Sequence, residues 1–479
     1  MLANIKSVYF IKLVLSKIDE KRKLNIVKYN KSLQNILSIN LINYIFFSGK
    51  YIIYEENGIG KEYDSINDEL LFIGKFKNGE RNGKGKEYYN GKIIFEGEYL
   101  NGKRNGSGRM YNNEENKRII LFEGEYLNGK KWNGVEKKFR GIDSYYEGEY
   151  LHGKLWNCKY CLDDKIYKLE QGKGIFSDYD KENIFIRYEG EYLNGERNGK
   201  GKEYNKYNGN KLKFEGEYLN GKRNGKGKEY DYNGDLSFEG EYKNGKRWNV
   251  IGKSGLNKLY KLENGTGKVK EYNIDDEIIF EGEYLNGEKN GFCKDYSTYS
   301  RFEGEYLKGR KNGKGKEYDN EGKLEFEGEY LNDKRNGKGK EYNYKGKLEF
   351  EGEYLYGYKL IGKYYINEKL EYEGEYRYKK KWNGKGYDHD GNIIYELING
   401  TGKVKEYDYD ILLFEGEYLN GKRHGYGKEY FDGKLSYEGE YLNDKRNGKG
   451  KEYDCEGKLE FEGEYSNNKR VKHSFCLII

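Results

Sequence analysis

Few residues in this 479-residue chain have the types and spacing that chemistry needs. The four histidines, His152, His389, His424 and His473, each stand in a different local context. They form no catalytic constellation, and His424 stands where other units have asparagine, a variant of the turn. Cys158 and Cys161 form one C-x-x-C with His152 nearby, but a structural zinc site needs a second pair of ligands that the sequence does not supply. Two carboxylates flank a glycine in every Glu-Gly-Glu, and a pair present in fourteen copies reads as scaffold and not as a general acid and base. The stretch G-K-R-N-G-K-G-K spaces its glycines one residue short of a phosphate loop, lacks the serine or threonine, and opens no helix. The last four residues, Cys476-Leu-Ile-Ile479, are a C-a-a-X arrangement behind Lys469, Arg470 and Lys472. A prenyl thioether on Cys476 gives marginal membrane affinity, and a basic patch is the second signal stable anchoring requires. Terminal isoleucine is outside the usual X residues, and the simpler reading of the same apolar tail is a cap on the last aromatic rings or chance. The expectation is therefore a non-enzyme with no catalytic, cofactor or metal residues, no small-molecule substrate, and Cys476 as the candidate lipidation site.

What positions everything else is a repeat. The core [FY]-E-G-E-Y begins at Phe95, Phe122, Tyr146, Tyr188, Phe214, Phe238, Phe280, Phe302, Phe326, Phe350, Tyr372, Phe414, Tyr437 and Phe461, with a looser copy at Phe72. A fixed period of this size marks an array in which each unit buries its face against the next. In Lys323–Tyr342, Leu324, Phe326, Gly328 and Tyr330 alternate with Glu325, Glu327, Glu329 and Leu331, the period-two pattern of a half-buried strand. Asn-Gly or Asn-Asp then opens a turn, a second Asn-Gly follows, and KGKEY reads as a short return strand. The glycine inside each core leaves room for an aromatic ring, and the rings of adjacent units form columns on one face. Glutamate and lysine share the other, solvated face. Three intervals of double length, from Tyr146 to Tyr188, Phe238 to Phe280 and Tyr372 to Phe414, each open with tryptophan (Trp156, Trp248, Trp382) and hide a degenerate unit. These intervals are expected to interrupt the strand pairing.

The pattern resembles the MORN repeat, whose units read roughly Y-x-G-x-[WY]-x-N-G-x-x-x-G-x-G. It is also similar to the MORN-variant repeats of YwqK-type proteins, through the G-K-L-E-F-E-G-E-Y stretch and the NGK turn. The closing aromatic here is tyrosine and not tryptophan. The resemblance spans residues 49–466. It implies an all-β repeat fold, an elongated antiparallel β-hairpin meander of MORN-like units, acting as a non-catalytic interaction scaffold; the YwqK likeness implies an antitoxin-like binder.

Residues 1–48 differ in kind, with apolar residues at helical spacing and breaks at Ser16–Asp19 and Tyr29–Ser32. They read as two or three short helices that pack on and cap the first strands. The spacing in IKLVLSKIDEKRKLNIVKYNKSLQ is similar to an F-box-like module, which implies docking on a ubiquitin-ligase adaptor. Residues 467–479 form a basic and apolar tail.

Charge bounds the partners. The 88 Lys+Arg and 82 Asp+Glu leave a formal charge of +6, too near balance for a dedicated nucleic-acid binder. Five scattered cysteines make no disulfide framework and suit a reducing, cytoplasmic setting. The turn residues Lys222, Arg223, Lys226 and Lys228, with Lys334, Arg335, Lys338 and Lys340, would stack into a basic ridge. Such a ridge keeps strand surfaces soluble; it would also touch an anionic membrane surface or an acidic protein. The reading is a scaffold for protein partners, the alternative a peripheral membrane organiser.

Overall fold

The computed structural model describes residues 20–471, apart from residues 29, 38 and 40 and the stretches 56–58, 115–116, 141–143, 163–164, 180–185, 206–210, 232–233, 255–257, 273–276, 298–299 and 409–410. The strands pair antiparallel with their sequence neighbours in four sheets of 11, 8, 12 and 7 strands. The chain divides into two compact units, one of Ser48–Ser297 with Glu305–Arg310, the other of Met1–Phe47, Thr298–Gly304 and Lys311–Ile479. The same hairpin builds both.

In the first unit, the strand Lys211–Leu219 turns into Lys222–Tyr230. Asn220 and Gly221 have φ of 49° and 79°, the left-handed pair that a type I′ turn demands and that asparagine and glycine adopt most readily. The second Asn-Gly does not reverse the chain. Asn224 and Gly225 lie inside the return strand, where Gly216 pairs with Gly227 and Tyr218 with Arg223, so extra residues bulge opposite Glu217. Gly225, at φ 99°, takes up the bulge, and the Lys226 N–H donates to the Glu217 carboxylate (3.2 Å). The return strand is therefore nine residues long, longer than the KGKEY expected.

Alternation assigns the faces as the sequence suggests. Phe214 and Tyr218 are 0% and 4% exposed, and Glu217 points to solvent. The aromatics do not form face-to-face columns. They meet edge to face in a zigzag, with Tyr188–Tyr218 at 5.1 Å, Tyr218–Phe214 at 5.7 Å and Phe214–Tyr242 at 5.1 Å. Edge-to-face contact suits the ring quadrupole and contributes about 0.5–1.5 kcal/mol per pair beyond burial. In the second unit, Phe302–Tyr330 at 5.1 Å, Tyr330–Phe326 at 5.5 Å and Phe326–Tyr354 at 5.2 Å repeat it.

Adjacent turns also join directly. The N–H of Gly129 donates to the Arg104 carbonyl, that of Gly245 to Arg223 and that of Gly357 to Arg335, each at 2.8 Å. The three long intervals are where the sheets end. Pairing stops between Leu169 and Gly174, Leu262 and Gly267, and Leu397 and Gly402, leaving single bridges at Glu170–Lys173, Glu263–Thr266 and Ile398–Thr401. The turn column continues through each interruption. The Trp156, Trp248 and Trp382 carbonyls accept from Gly172, Gly265 and Gly400, and those glycines accept in turn from Gly195, Gly287 and Gly421.

Among the described residues, three short helices precede the strands: α1 (Glu20–Val27), α2 (Lys31–Leu37) and α3 (Leu41–Ser48). Asn30 caps α2 by accepting from the Leu33 N–H (3.0 Å), at the break read from the sequence. Leu24, Val27, Leu33 and Ile39 form a small core of their own. The helices were expected against the first strands, but the contacts that bury Phe46 and Phe47 are with Tyr356, Tyr358 and Tyr378. The last pairing, Tyr465 with Arg470, carries the strands past the boundary expected at residue 466.

These packing roles separate two neighbouring residues. Tyr330→Ala removes a ring held between Phe302 and Phe326 and is expected to cost about 3 kcal/mol or more. Glu329→Ala, on the exposed side, should cost well under about 1 kcal/mol. Chemical denaturation of the two variants checks this, and equal losses would mean the faces are reversed.

Candidate functional site

The return strand places three residues per hairpin on the aromatic face, and sequence reasoning, which gave a packing role only to the glycine of the EGEY strand, named none of them. Gly227, Glu229 and Arg223 all share the side of Phe214. A charged residue there needs a partner, and the neighbouring units supply it. Arg223 bonds Glu203 of the preceding hairpin (2.6 Å) and Glu229 of its own (3.1 Å). Arg247 then bonds Glu229 (2.7 Å) and reaches Glu271 (2.6 Å), crossing the sheet break at Leu262. In the second unit the run Lys311–Glu317–Arg335–Glu341–Lys359 has distances of 2.8, 2.9, 3.1 and 2.8 Å. A further run joins Glu406, Arg423, Glu429, Arg446, Glu452 and Arg470. Each guanidinium also lies on its own aromatic ring, Arg223 3.9 Å from the Phe214 centroid and Arg335 4.1 Å from that of Phe326, a cation–π contact of about 0.5–2 kcal/mol. Some core tyrosines donate to carboxylates of this layer: Tyr218 to Glu203 (2.7 Å), Tyr99 to Glu87 (2.7 Å), and Tyr242 to Glu229.

The titration of these groups follows. Burial alone would push the Glu229 carboxyl up, but the guanidinium of Arg247, the Tyr242 hydroxyl and Arg223 outweigh it and hold the carboxyl below the ordinary range. Glu87, Glu203, Glu317 and Glu341 are lowered in the same way. Burial and the facing carboxylate raise the Tyr242 hydroxyl, so it stays a donor.

The opposite face is open. Lys226 and Lys228 lie there opposite Glu241 and Glu239, with Lys228 3.7 Å from Glu239. Lys338 and Lys340 stand likewise opposite Glu353 and Glu351, with Lys340 3.9 Å from Glu351. The terminal tyrosine of each return strand locks this face, Tyr230 donating to Glu215 (2.6 Å) and Tyr342 to Glu327 (2.9 Å). An open groove of about 850 Å³ runs across five strands between Glu189 and Glu241, its charged lining five glutamates against four lysines.

The expected basic ridge is thus corrected. Arg223 and Arg335 turn inward and are consumed by ion pairs, Lys226, Lys228, Lys338 and Lys340 are interleaved with glutamate, and Lys222 and Lys334 are exposed at the strand starts. Because alternation puts KGKEY lysines and EGEY glutamates on the same side, the surface is mixed in charge. Cys158 is buried, while the side chain of Cys161, His473 and Cys476 lie outside the described residues. Among the described residues no group of three or more His, Cys, Asp or Glu could hold a metal.

The MORN repeat family model matches residues 72–92, 95–113, 188–206, 214–236, 238–249, 280–294, 302–323, 326–347, 414–434 and 437–458. Ten segments of this chain match the MORN repeat. The hairpins that begin at Phe122, Phe350 and Tyr372 fall outside those segments yet keep the geometry, with Phe350–Tyr354 at 5.3 Å and Lys359 4.7 Å from the Phe350 ring. MORN repeats in general serve as interaction or membrane-binding modules and not as enzymes. No curated protein matches the sequence. Among solved structures, dihydro-heme d1 dehydrogenase NirN in complex with DHE is 11% identical over 88% of this chain and 72% of that one, with a TM-score of 0.13. A superposition that poor carries no argument.

The ion-pair runs make stability depend on acid. A carboxylate whose folded pKa is depressed contributes stability that is full above its unfolded value of about 4.5 and is lost as pH falls through the folded value. The melting temperature is expected to hold near neutrality and fall steeply below about pH 4.5. Glu229→Gln, which leaves Arg223 with Glu203 alone and Arg247 with Glu271 alone, should cost about 1–3 kcal/mol at pH 7 and flatten that fall. Glu239→Gln on the open face should cost well under about 1 kcal/mol. Thermal melts across the pH range decide it, and an unchanged acid limb in Glu229→Gln would remove the ladder as its cause.

Proposed function

We propose that this chain is a non-catalytic interaction scaffold that receives a protein partner on the open face of its MORN repeats. The observation that carries the reading is the division of charge between the two faces. Every arginine described above on the aromatic face is spent on internal ion pairs, so that face holds the fold together. What remains for a partner is the repeated grid of glutamate and lysine around the Glu189–Glu241 groove, with leucines such as Leu193 and Leu219 exposed beside it. Apolar contacts flanked by alternating charges suit a protein surface, where opposite charges set orientation and exclude wrong partners. In this reading the N-terminal helices are a second attachment point. Their F-box-like spacing makes a ubiquitin-ligase adaptor the partner to test.

A membrane organiser is the second reading, favoured by the exposed Lys222, Lys226, Lys334 and Lys338. The glutamates interleaved with these lysines weaken any net attraction to anionic lipid.

One double substitution separates the two. Lys226→Glu/Lys228→Glu should leave the fold intact and weaken a protein partner captured from the native cell by about tenfold or more. The same full-length protein should not sediment with phosphatidylserine vesicles at physiological salt. Vesicle binding that the double substitution abolishes would replace the protein-scaffold reading with the membrane one.

A further inference from the structure

Most turns of the array begin with asparagine at positive φ, such as Asn220 (49°), Asn332 (49°) and Asn420 (55°). Two turns place a tyrosine there instead, Tyr356 (51°) and Tyr378 (58°), and among the described residues no other tyrosine, phenylalanine or tryptophan adopts that conformation. The left-handed region crowds the Cβ against the backbone, and asparagine tolerates it far better than an aromatic residue does. A third departure falls beside them. Tyr358 stands where Lys222 and Lys334 begin their return strands.

All three departures meet under one helix. The Phe46 ring of α3 stacks on Tyr378 at 5.1 Å, with planes 17° apart, and meets Tyr358 edge-on at 5.6 Å. Phe47 meets Tyr356 edge-on at 5.3 Å, and Tyr358 and Tyr378 meet each other at 5.8 Å. Phe46 is 1% exposed, Tyr356 5% and Tyr378 6%. Most equivalent turns elsewhere carry asparagine, exposed at Asn220 and Asn420. Nothing in the hairpin's own packing calls for a ring at these turn positions, because the core aromatics Phe350, Tyr354, Tyr372 and Tyr376 already complete the zigzag.

We propose that Tyr356, Tyr358 and Tyr378 form a dedicated docking site on the turn edge of the array for a helix bearing two adjacent aromatic side chains. Its occupant is α3 of the same chain. The strained backbone at the two turns is retained because it aims the rings at Phe46 and Phe47. Since α1, α2 and α3 share one core through Leu24, Val27, Leu33 and Ile39, with Tyr44 and Phe47 packed against it, seating α3 holds the whole helical module on the repeats. This holds whichever partner the open face receives.

The test is hydrogen–deuterium exchange on the full-length chain. Tyr356→Asn/Tyr378→Asn restores the residue that other turns carry. Exchange across residues 20–48 should accelerate about tenfold or more, while the strands Leu348–Leu355 and Lys369–Arg377 keep their protection. Phe46→Ala should accelerate the same helical segment and leave the strands untouched. Unchanged exchange in the helices of the tyrosine double variant would overturn the proposal. So would loss of protection in the two strands, because the rings would then belong to the array's own core.

Discussion

Where Gly216 faces Gly227, a Cβ on either residue would stand within 2.7 Å of the Phe214 ring, so the ring can lie down on the sheet only because both side chains are missing. The same holds at Gly328 and Gly339 under Phe326. Each ring so lowered becomes the floor for an arginine and the target for the edge of the next tyrosine. The glycines cost strand stability as isolated residues. They return it by letting aromatic, cationic and carboxylate groups share a layer that would otherwise be too thick to close. Neither the charges nor the rings would be stable on this face without the other. The guanidinium stem shields the ring from water, and the carboxylates neutralise the guanidinium where water is scarce.

Much of this was legible in the sequence. Alternation in Leu324–Tyr330 places the core rings, Asn-Gly marks the turns, and the tryptophan-bearing intervals mark where pairing stops. The role of Glu229 was not legible at first reading, because KGKEY looks like a solvated strand. Its parity with Gly227 is the signal: any residue two positions from a core glycine must share the core face. The same parity turns Arg223 inward once the return strand is seen to start at Lys222. The bulge at Gly225 adds an even number of residues, so Arg223 keeps the parity of Gly227 although their partners Tyr218 and Gly216 stand closer together along the strand. The seating of Phe46 and Phe47 could not be read from periodicity, which carries no information about contacts between distant segments. The oddity of Tyr356 and Tyr378 in an Asn-Gly position was visible, but its meaning required the helix.

The two edges of each hairpin are stabilised by different means. Strand pairing depends on unbroken extended backbone and fails at Leu169, Leu262 and Leu397. The turn column depends on one backbone donor and one carbonyl per turn, and it passes through the tryptophan units because the short inserted hairpins still offer a glycine N–H at the right place. In the interval after Trp248 the ion-pair run also bridges the gap, through Arg247 and Glu271. Sheet ends are therefore tolerated inside the array without loss of the contacts that align neighbouring hairpins.

Arg223 is bound by one carboxylate from its own hairpin and one from the hairpin before it, and the same sharing recurs at Arg335, Arg423 and Arg446. Each repeat thus carries half of two sites and closes them only with its neighbours. An in-frame duplication or excision of one whole repeat regenerates every junction, because identical halves meet again. A cut elsewhere in the period leaves an acid or a base buried without its counterpart. Growth and shrinkage of such an array are quantised, so recombination between near-identical copies can change its length while selection on folding keeps only the integer steps.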